Sequence, residues 1–512
     1  RHKTFDKAIE INTVPVLLRD AWFRKSHVVA SGKFILSGAS GIRLLNRYCW
    51  KNQGAGHDPE QVLRAFFAQS AADPENAVLS LMTGALPQGL GFAIECRNTF
   101  NYYHFLTESL GQLCLVADSG VQGPIYFHYP NQSDKTRSFV MDFVEQLFPE
   151  LVHRIRFERA PWHHDAVISP FNFANAYFQL PESVVGNLDD HAPSDQYWQG
   201  RVATRSAQSV LSMNSFDASL KKLRARALAA IAGKDFGYLP KRFWVGRDEG
   251  KSRLRKMDGE DEILEMLGLF GFVSVAFERL SPLEQIALLA NAEMMVSYHG
   301  AGFANMLFAN PEAYIVELGT LQTATFRWGD FWRCAHVSGC RYISFFADYN
   351  TVNPEVDPHF SNDGIVPVRL SQSGLAQVMS FIVMALGKTP QLNRAEDVAR
   401  LGRQMVAVGA FRRAAELFEK HHGLEVGNLD LSLARAEAYE KLGQYTEQLA
   451  SLYCAYRADP SRWGTLVQVI WCARKTNDLE TIRAGLAVLR EAFPERFQAF
   501  VKDRPWFQKL AD

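Results

Sequence analysis

The stretch Met294-Met295-Val296-Ser297-Tyr298-His299-Gly300-Ala301-Gly302-Phe303 decides the fold. Its first five residues form an uncharged apolar run of strand length, and Ala304 to Ala309 is a helix-like run. Two glycines bracket Ala301 between them, so a strand passes into a helix through backbone that can approach a ligand closely. α/β sheets use such turns to aim backbone amides and the positive end of a helix dipole at a phosphate. The next apolar run, Tyr314-Ile315-Val316-Glu317-Leu318-Gly319, reads as a second strand. Near its end Glu317 stands where a carboxylate commonly accepts hydrogen bonds from ribose hydroxyls. Small residues also serve a tight turn for purely local reasons, so the glycines alone leave a nucleotide crevice and a plain turn both open.

Strands and helices alternate on either side of this point. Arg242 to Val245 and Phe272 to Ala276 read as strands, and Glu260 to Leu269 as a helix. A further helix starts at Pro282, with Ser281 as N-cap and Glu284 three residues after it, the pattern of a capping box. Alternation of this kind predicts a parallel sheet covered by helices on both faces. Upstream the chain is less regular, with strand-like Gly123 to Phe127 and Ala166 to Ile168. The polar, then basic, stretch from Arg201 to Ala230 is the expected hinge between two α/β domains, its charges read as a solvated face.

Downstream, Gly409-Ala410-Phe411, Gly443-Gln444-Tyr445 and Asn477-Asp478-Leu479 recur at steps of 34 residues, and Pro460 and Pro494 keep the same offset. Gly387 to Gln391 reads as a linker, since Gly and Pro together stop a helix. The expected organisation is therefore an α/β domain over 1–230, a second α/β domain over 231–388 and helical repeats over 395–512. If the repeats are an independent unit, a chain ending near Lys388 is expected to fold alone; if they are part of the core, it is not. The repeats would form either a groove for a protein partner or a helical appendage that only buries part of the enzyme.

Two further clusters carry chemistry. In Asn101-Tyr102-Tyr103-His104-Phe105-Leu106-Thr107-Glu108, His104 and Glu108 are four apart and share a helix face. A carboxylate that holds an imidazole in one tautomer makes a general base, although the same spacing also gives an ordinary helix contact. Tyr102 and Tyr103 beside it could face a sugar, since aromatic faces stack on apolar sugar faces. Arg247-Asp248-Glu249-Gly250-Lys251-Ser252-Arg253-Leu254-Arg255-Lys256 follows the strand ending at Val245. Arginine matches phosphate oxygens bidentately, and a loop at a strand's C-terminal end is where an α/β sheet holds ligands; a solvated charged loop is the alternative.

Composition narrows the classes. At 512 residues the chain is too long for one core. Lys+Arg and Asp+Glu are equal at 55, so no net field favours a polyanion, and nucleic acid is not an expected partner. No apolar run is long enough to cross a membrane. The first residue is Arg1, which implies a trimmed start, and a removed leader or anchor stays open. Seven scattered cysteines without a C-x-x-C pair argue against a zinc ribbon and a disulfide framework and favour a reducing, cytoplasmic setting, any membrane association being made through partners. The single sequon at Asn131 carries little information.

The combination of Tyr102-Tyr103-His104 to Glu108, the arginine-rich loop, Gly259-Glu260-Asp261-Glu262, Ser281-Pro282-Leu283-Glu284-Gln285, Tyr298 to Asn305 and Ile315 to Leu318 resembles glycosyltransferase family 61. The resemblance spans roughly residues 95 to 320 and is strongest over 242 to 320. It implies a GT-B architecture of two Rossmann-like domains and inverting, metal-independent transfer from a nucleotide sugar, usually linked to uridine diphosphate, to a glycan or protein. No resident cofactor or metal is implied. Carried over by residue, Arg247 and Arg255 match the arginines near the donor phosphates. His299, Gly300, Ala301 and Gly302 match the diphosphate turn, with Asn305 on the same donor side. Glu317 matches the strand-end acid, and His104 and Glu108 the acceptor-side pair. The family often has asparagine where Gly259 stands. The repeat region resembles the tetratricopeptide family. Two rival readings are a catalytically inactive relative serving as a scaffold and another nucleotide-using enzyme such as an epimerase, the latter disfavoured because no Gly-x-Gly-x-x-Gly turn stands near the start.

Overall fold

Both apolar runs beside His299 become strands of one parallel sheet. The structure, a computed structural model, describes residues 9–23, 28–30, 34–36, 87, 89–96, 100–129, 138–171, 177–179, 215–246, 257–358, 363, 366–387 and 392–511. Arg247 and Arg255, the linker over 388–391, the 201–214 part of the expected hinge and Asn131 therefore lie outside the described residues.

The sheet around His299 has five strands in the order Val273–Val275, Arg242–Val245, Met294–Tyr298, Tyr314–Gly319 and Arg341–Phe346. The last four run parallel, with Met294 opposite Tyr314 and Tyr314 opposite Arg341. Met294 to Tyr298 are all buried, the pattern of a strand covered on both faces. In chain order this is 2-1-3-4-5. Its topological switch point lies between Arg242–Val245 and Met294–Tyr298, where the His299 turn leaves the sheet. A doubly wound sheet binds ligands at that edge.

The first half departs from expectation. Its eight-stranded sheet is mixed, in the order Ile155–Arg159, Ile125–Tyr129, Phe92–Glu95, Trp162–Phe171, Val14–Phe23, Val28–Ala30, Phe34–Leu36 and Tyr177–Gln179. The first three are mutually parallel, whereas Val14–Phe23 pairs antiparallel with both Trp162–Phe171 and Val28–Ala30. The first sheet thus joins a parallel part to an antiparallel one, and the order 2-1-3-4-5 belongs to the second sheet.

Chain packing also divides differently from boundaries at 230 and 388. One compact unit comprises 1–255, 274–346 and 351–366, and the other 256–273, 347–350 and 367–512. Both sheets share the core of the first unit, in which Phe92, Leu110 and Phe127 lie in the same buried cluster as Met295, Phe303 and Phe308. The helix Ser219–Ile231, part of the expected hinge, is a packing element of that core. Leu220, Leu223 and Ala227 are buried in it, Arg224 donates to the Leu307 carbonyl at 2.8 Å, and the Arg226 guanidinium lies 4.3 Å from the Phe148 ring centroid. Lys221 and Lys222 are exposed, as a solvated face predicts, whereas the Arg224 and Arg226 stems lie along apolar surface with their heads bonded at its edge, which a one-dimensional pattern cannot show.

The second unit joins a piece of the α/β region to the repeats. Gly259 caps the helix Glu260–Gly268 at φ 85°, and a Cβ there would stand 2.8 Å from the Leu370 carbonyl oxygen. Asparagine tolerates the left-handed region but not that contact, which accounts for glycine at this position. The helix Gln372–Leu386 buries Leu375, Val378, Met379 and Ile382. Beyond it, helices begin at Ala395, Leu429 and Trp463, and their partners at Phe411, Tyr445 and Leu479. Both series step by 34 residues, as the sequence predicts, and the turns hold Gly409, Gly443 and Asn477 at φ 79°, 72° and 57°. Gly402 lets the first pair pack closely, since a Cβ there would come within 2.1 Å of the Phe418 ring. Among the described residues no helix is long and apolar enough to cross a membrane.

Candidate active site

His104 stands at the end of a short helical turn, Tyr102–His104, that passes directly into a π-helical segment, Phe105–Leu110. Such wide turns are rare and frequently mark functional positions. Here the segment buries Phe105, Leu106 and Leu110 and leaves His104 and Glu108 on the partly open side. His104 Nδ1 lies 2.8 Å from Glu108 Oε1, with the side chains 12% and 17% exposed. The carboxylate accepts the Nδ1 proton, so Nε2 is the unprotonated nitrogen of the neutral ring.

A second histidine–carboxylate pair lies in the same unit. His299 follows the strand Met294–Tyr298, and its Nδ1 is 2.5 Å from Oε1 of Glu317, which is 4% exposed. Glu317 Oε2 accepts the Tyr342 hydroxyl. Each oxygen of this buried carboxylate therefore already has a protein partner. Glu317, expected to face a ribose, orients His299 within the protein. Tyr342 was missed in the sequence, because the strand Arg341–Phe346 that carries it was not recognised. Parallel pairing of Ser297 with Glu317 brings the acid beside the end of the strand that leads into His299.

The two pairs share an aromatic wall. The Tyr103 ring is 5.2 Å from His104 and 5.5 Å from Phe331, which in turn is 5.1 Å from His299. The His104 and His299 pairs are thus linked through rings. Tyr103 is only 6% exposed, so it supports His104 from below and does not offer a face to a sugar. Tyr102 is likewise directed inward: its hydroxyl lies 2.6 Å from Gln285 Oε1 and 2.8 Å from Asn305 Oδ1. Burial pushes that phenol well above the ordinary tyrosine range, so it remains a hydrogen-bond donor. Asn305, expected on the donor side, is fully buried and makes this internal bond.

The turn itself is tighter than a regular α-helix start. Gly300 is extended, at φ −175°, and Ala301–Phe308 is a 3-10 helix that buries Phe303 to Phe308. Gly302 is needed for space, since a Cβ there would meet the Phe277 ring at 3.1 Å. Gly300 and Ala301 stay partly exposed beside His299.

Other chemistries are poorly supplied. Burial pushes the Cys114 thiol up to about 12 and Cys340 to about 11, so neither is a thiolate nucleophile near neutral pH. His128 and His164 face each other with Nε2 atoms 2.9 Å apart, and burial lowers them to about 3 and about 4. Both are neutral at pH 7, one donating to the other, on strands of the first sheet. No group of three or more His, Cys, Asp or Glu able to hold a metal is found among the described residues.

Residues 102–316 match the family model described as Glycosyltransferase 61. The matched segment opens at Tyr102, the first residue of the helical turn that carries His104, and closes in the strand Tyr314–Gly319, one residue before Glu317. It therefore spans both histidines and the switch point between them, and leaves the repeats outside. A comparison with curated proteins gives no match. Among solved structures, one titled "MamA MSR-1 C2" is 16% identical and covers 27% of this chain and 90% of its own, at a TM-score of 0.21. Another, titled "MamA RS-1 ArsTM double mutant", is 15% identical and covers 27% of this chain and 81% of its own, also at 0.21.

Proposed function

We propose that the segment matching the Glycosyltransferase 61 model performs inverting transfer from a uridine-diphosphate sugar to a glycan or protein acceptor, without a metal. The observation that carries this reading is the His104–Glu108 pair, held 2.8 Å apart and partly open inside that segment. In the transfer His104 Nε2 takes the proton of the acceptor hydroxyl as that oxygen attacks the anomeric carbon. The bond from that carbon to the diphosphate breaks, and charge collects on the leaving group. His299, the amides of Gly300, Ala301 and Gly302, and the arginines Arg247 and Arg255, which follow the strand Arg242–Val245 in sequence, receive that charge. The repeats over 395–512 would bring in a protein partner or acceptor.

Uridine diphosphate at a hundredfold excess over its dissociation constant is expected to stabilise the full chain by about 2.7 kcal/mol, read as a rise in Tm. A panel of uridine-diphosphate sugars in the same assay would select the donor. No shift with any of them would remove the nucleotide from the proposal. Arg247→Ala and Arg255→Ala should each lose a charge-assisted bond worth about 1.5–3 kcal/mol, roughly ten- to 150-fold in kcat/KM. Unchanged donor kinetics in both variants would place the phosphates elsewhere.

A further inference from the structure

Gln285 belongs to a motif that the proposed transfer leaves without a task, and Tyr102 and Asn305 belong to motifs in which only other residues have one. In the structure these three residues meet. The Gln285 amide is fixed in orientation, because its Nε2 donates to the Phe277 and Leu280 carbonyls at 3.0 Å each. Its Oε1 must then be the acceptor facing Tyr102 and Asn305, and it receives the Tyr102 hydroxyl at 2.6 Å and Asn305 Nδ2 at 3.2 Å. Asn305 Oδ1 also faces the Tyr102 hydroxyl, at 2.8 Å, so one hydroxyl hydrogen is shared between two fixed oxygens. The Tyr102 ring is held by Phe139 at 5.4 Å and Phe143 at 6.1 Å.

These contacts tie together three elements far apart in sequence. Tyr102 opens the turn that carries His104. Gln285 lies in the helix Pro282–Ala290, and Asn305 in the 3-10 helix that follows His299. A displacement of Tyr102 therefore moves His104 relative to His299. The ring contacts through Phe331 would resist such a displacement only weakly, since aromatic pairs tolerate a range of offsets.

We infer that Tyr102, Gln285 and Asn305 form a latch that sets the distance between His104 and the His299 turn, Tyr102 acting as a positioning residue for the base. The inference rests on the transferase reading, in which those two histidines serve opposite sides of one reaction. A reacting geometry that slips by about 1 Å loses on the order of a hundredfold in rate, while nucleotide contacts made elsewhere are kept.

The test uses the full chain. Tyr102→Phe keeps the ring and removes the hydroxyl, and Gln285→Met removes the acceptor opposite it at similar length. Each is expected to lower kcat for the donor selected by the uridine-diphosphate-sugar panel about ten- to a hundredfold, with KM changed less than about threefold. In a His104→Ala background Tyr102→Phe should have no further effect, because a positioning residue has nothing left to position. An equal loss in both backgrounds overturns the inference. Amide hydrogen exchange supplies a readout that needs no turnover. Exchange over residues 100–112 should rise about tenfold or more in Tyr102→Phe, with the helices from 429 onward unchanged. Unaltered exchange over 100–112 overturns the latch. A raised exchange in a chain that processes no donor upholds the latch as a structural tie and removes the transferase reading.

Discussion

His104→Ala is expected to lower kcat by about 10² to 10⁴ while nucleotide affinity stays near that of the unaltered chain. The imidazole is 12% exposed and its Nδ1 is committed to Glu108, so the change removes a proton acceptor without emptying a core position. Glu108→Gln should be milder, on the order of tenfold, because the amide oxygen can still accept the Nδ1 proton while the charge is lost. The ranking is itself informative. If Glu108 were the base, the glutamine variant would be the more damaged of the two. If both variants kept full activity, the pair would be a helix contact and the acceptor side would have to be sought elsewhere. Steady-state kinetics together with uridine diphosphate titration of each variant separates these outcomes, since a loss of nucleotide binding would mean that the substitution had disturbed the donor side as well.

Local patterns were read well from the residues because local physics fixes them. The capping box of Ser281 and Glu284 forms as its spacing predicts: the Glu284 amide donates to Ser281 Oγ at 3.3 Å, and the Ser281 amide donates to Glu284 Oε2 at 2.8 Å. The strand–turn–strand around His299 and the 34-residue helical step were legible for the same reason. Partners across the fold were not. An apolar face states that a segment will be buried, not what will bury it, so the two sheets looked like separate domains although Phe127 and Phe308 lie in one core. The internal partners of the site residues were hidden in the same way. Glu317 at a strand end resembles a ribose acceptor, and only the neighbouring strand reveals Tyr342 and His299 as its partners. Tyr102 and Tyr103 lie beside a candidate base and so read as substrate-facing, whereas their rings point into the core. A tyrosine followed by aromatics and then His-x-x-x-Glu holds no signal that separates a sugar platform from a buried support.

A chain ending at Lys388 is expected to come out aggregated, without a cooperative melting transition, contrary to what the linker-like composition of 387–391 suggests. The helix Gln372–Leu386 packs against Ala395–Ala407 and against Glu260–Gly268, all within one compact unit. Polar ties follow the same path: Arg400 pairs with Glu265 at 2.7 Å, and Gln372 Nε2 donates to Glu262 at 2.7 Å. Removal of the repeats would uncover part of the stripe formed by Leu375, Val378, Met379 and Ile382. Each large side chain returned to water costs about 1.5–3 kcal/mol, so even two of them remove about 3–6 kcal/mol, against a typical total stability of about 5–15 kcal/mol. The same cut strips the packing from Glu260–Gly268, whose chain leads back through the strand Val273–Val275 into the sheet that carries His299. Loss of the repeats should therefore reach the donor side through the backbone itself. Size-exclusion profiles and thermal melts of the truncated and full chains decide the matter. A monomeric truncated chain that melts cooperatively and is still stabilised by uridine diphosphate would show that the repeats are an independent module after all, and that the helix Gln372–Leu386 can find other cover.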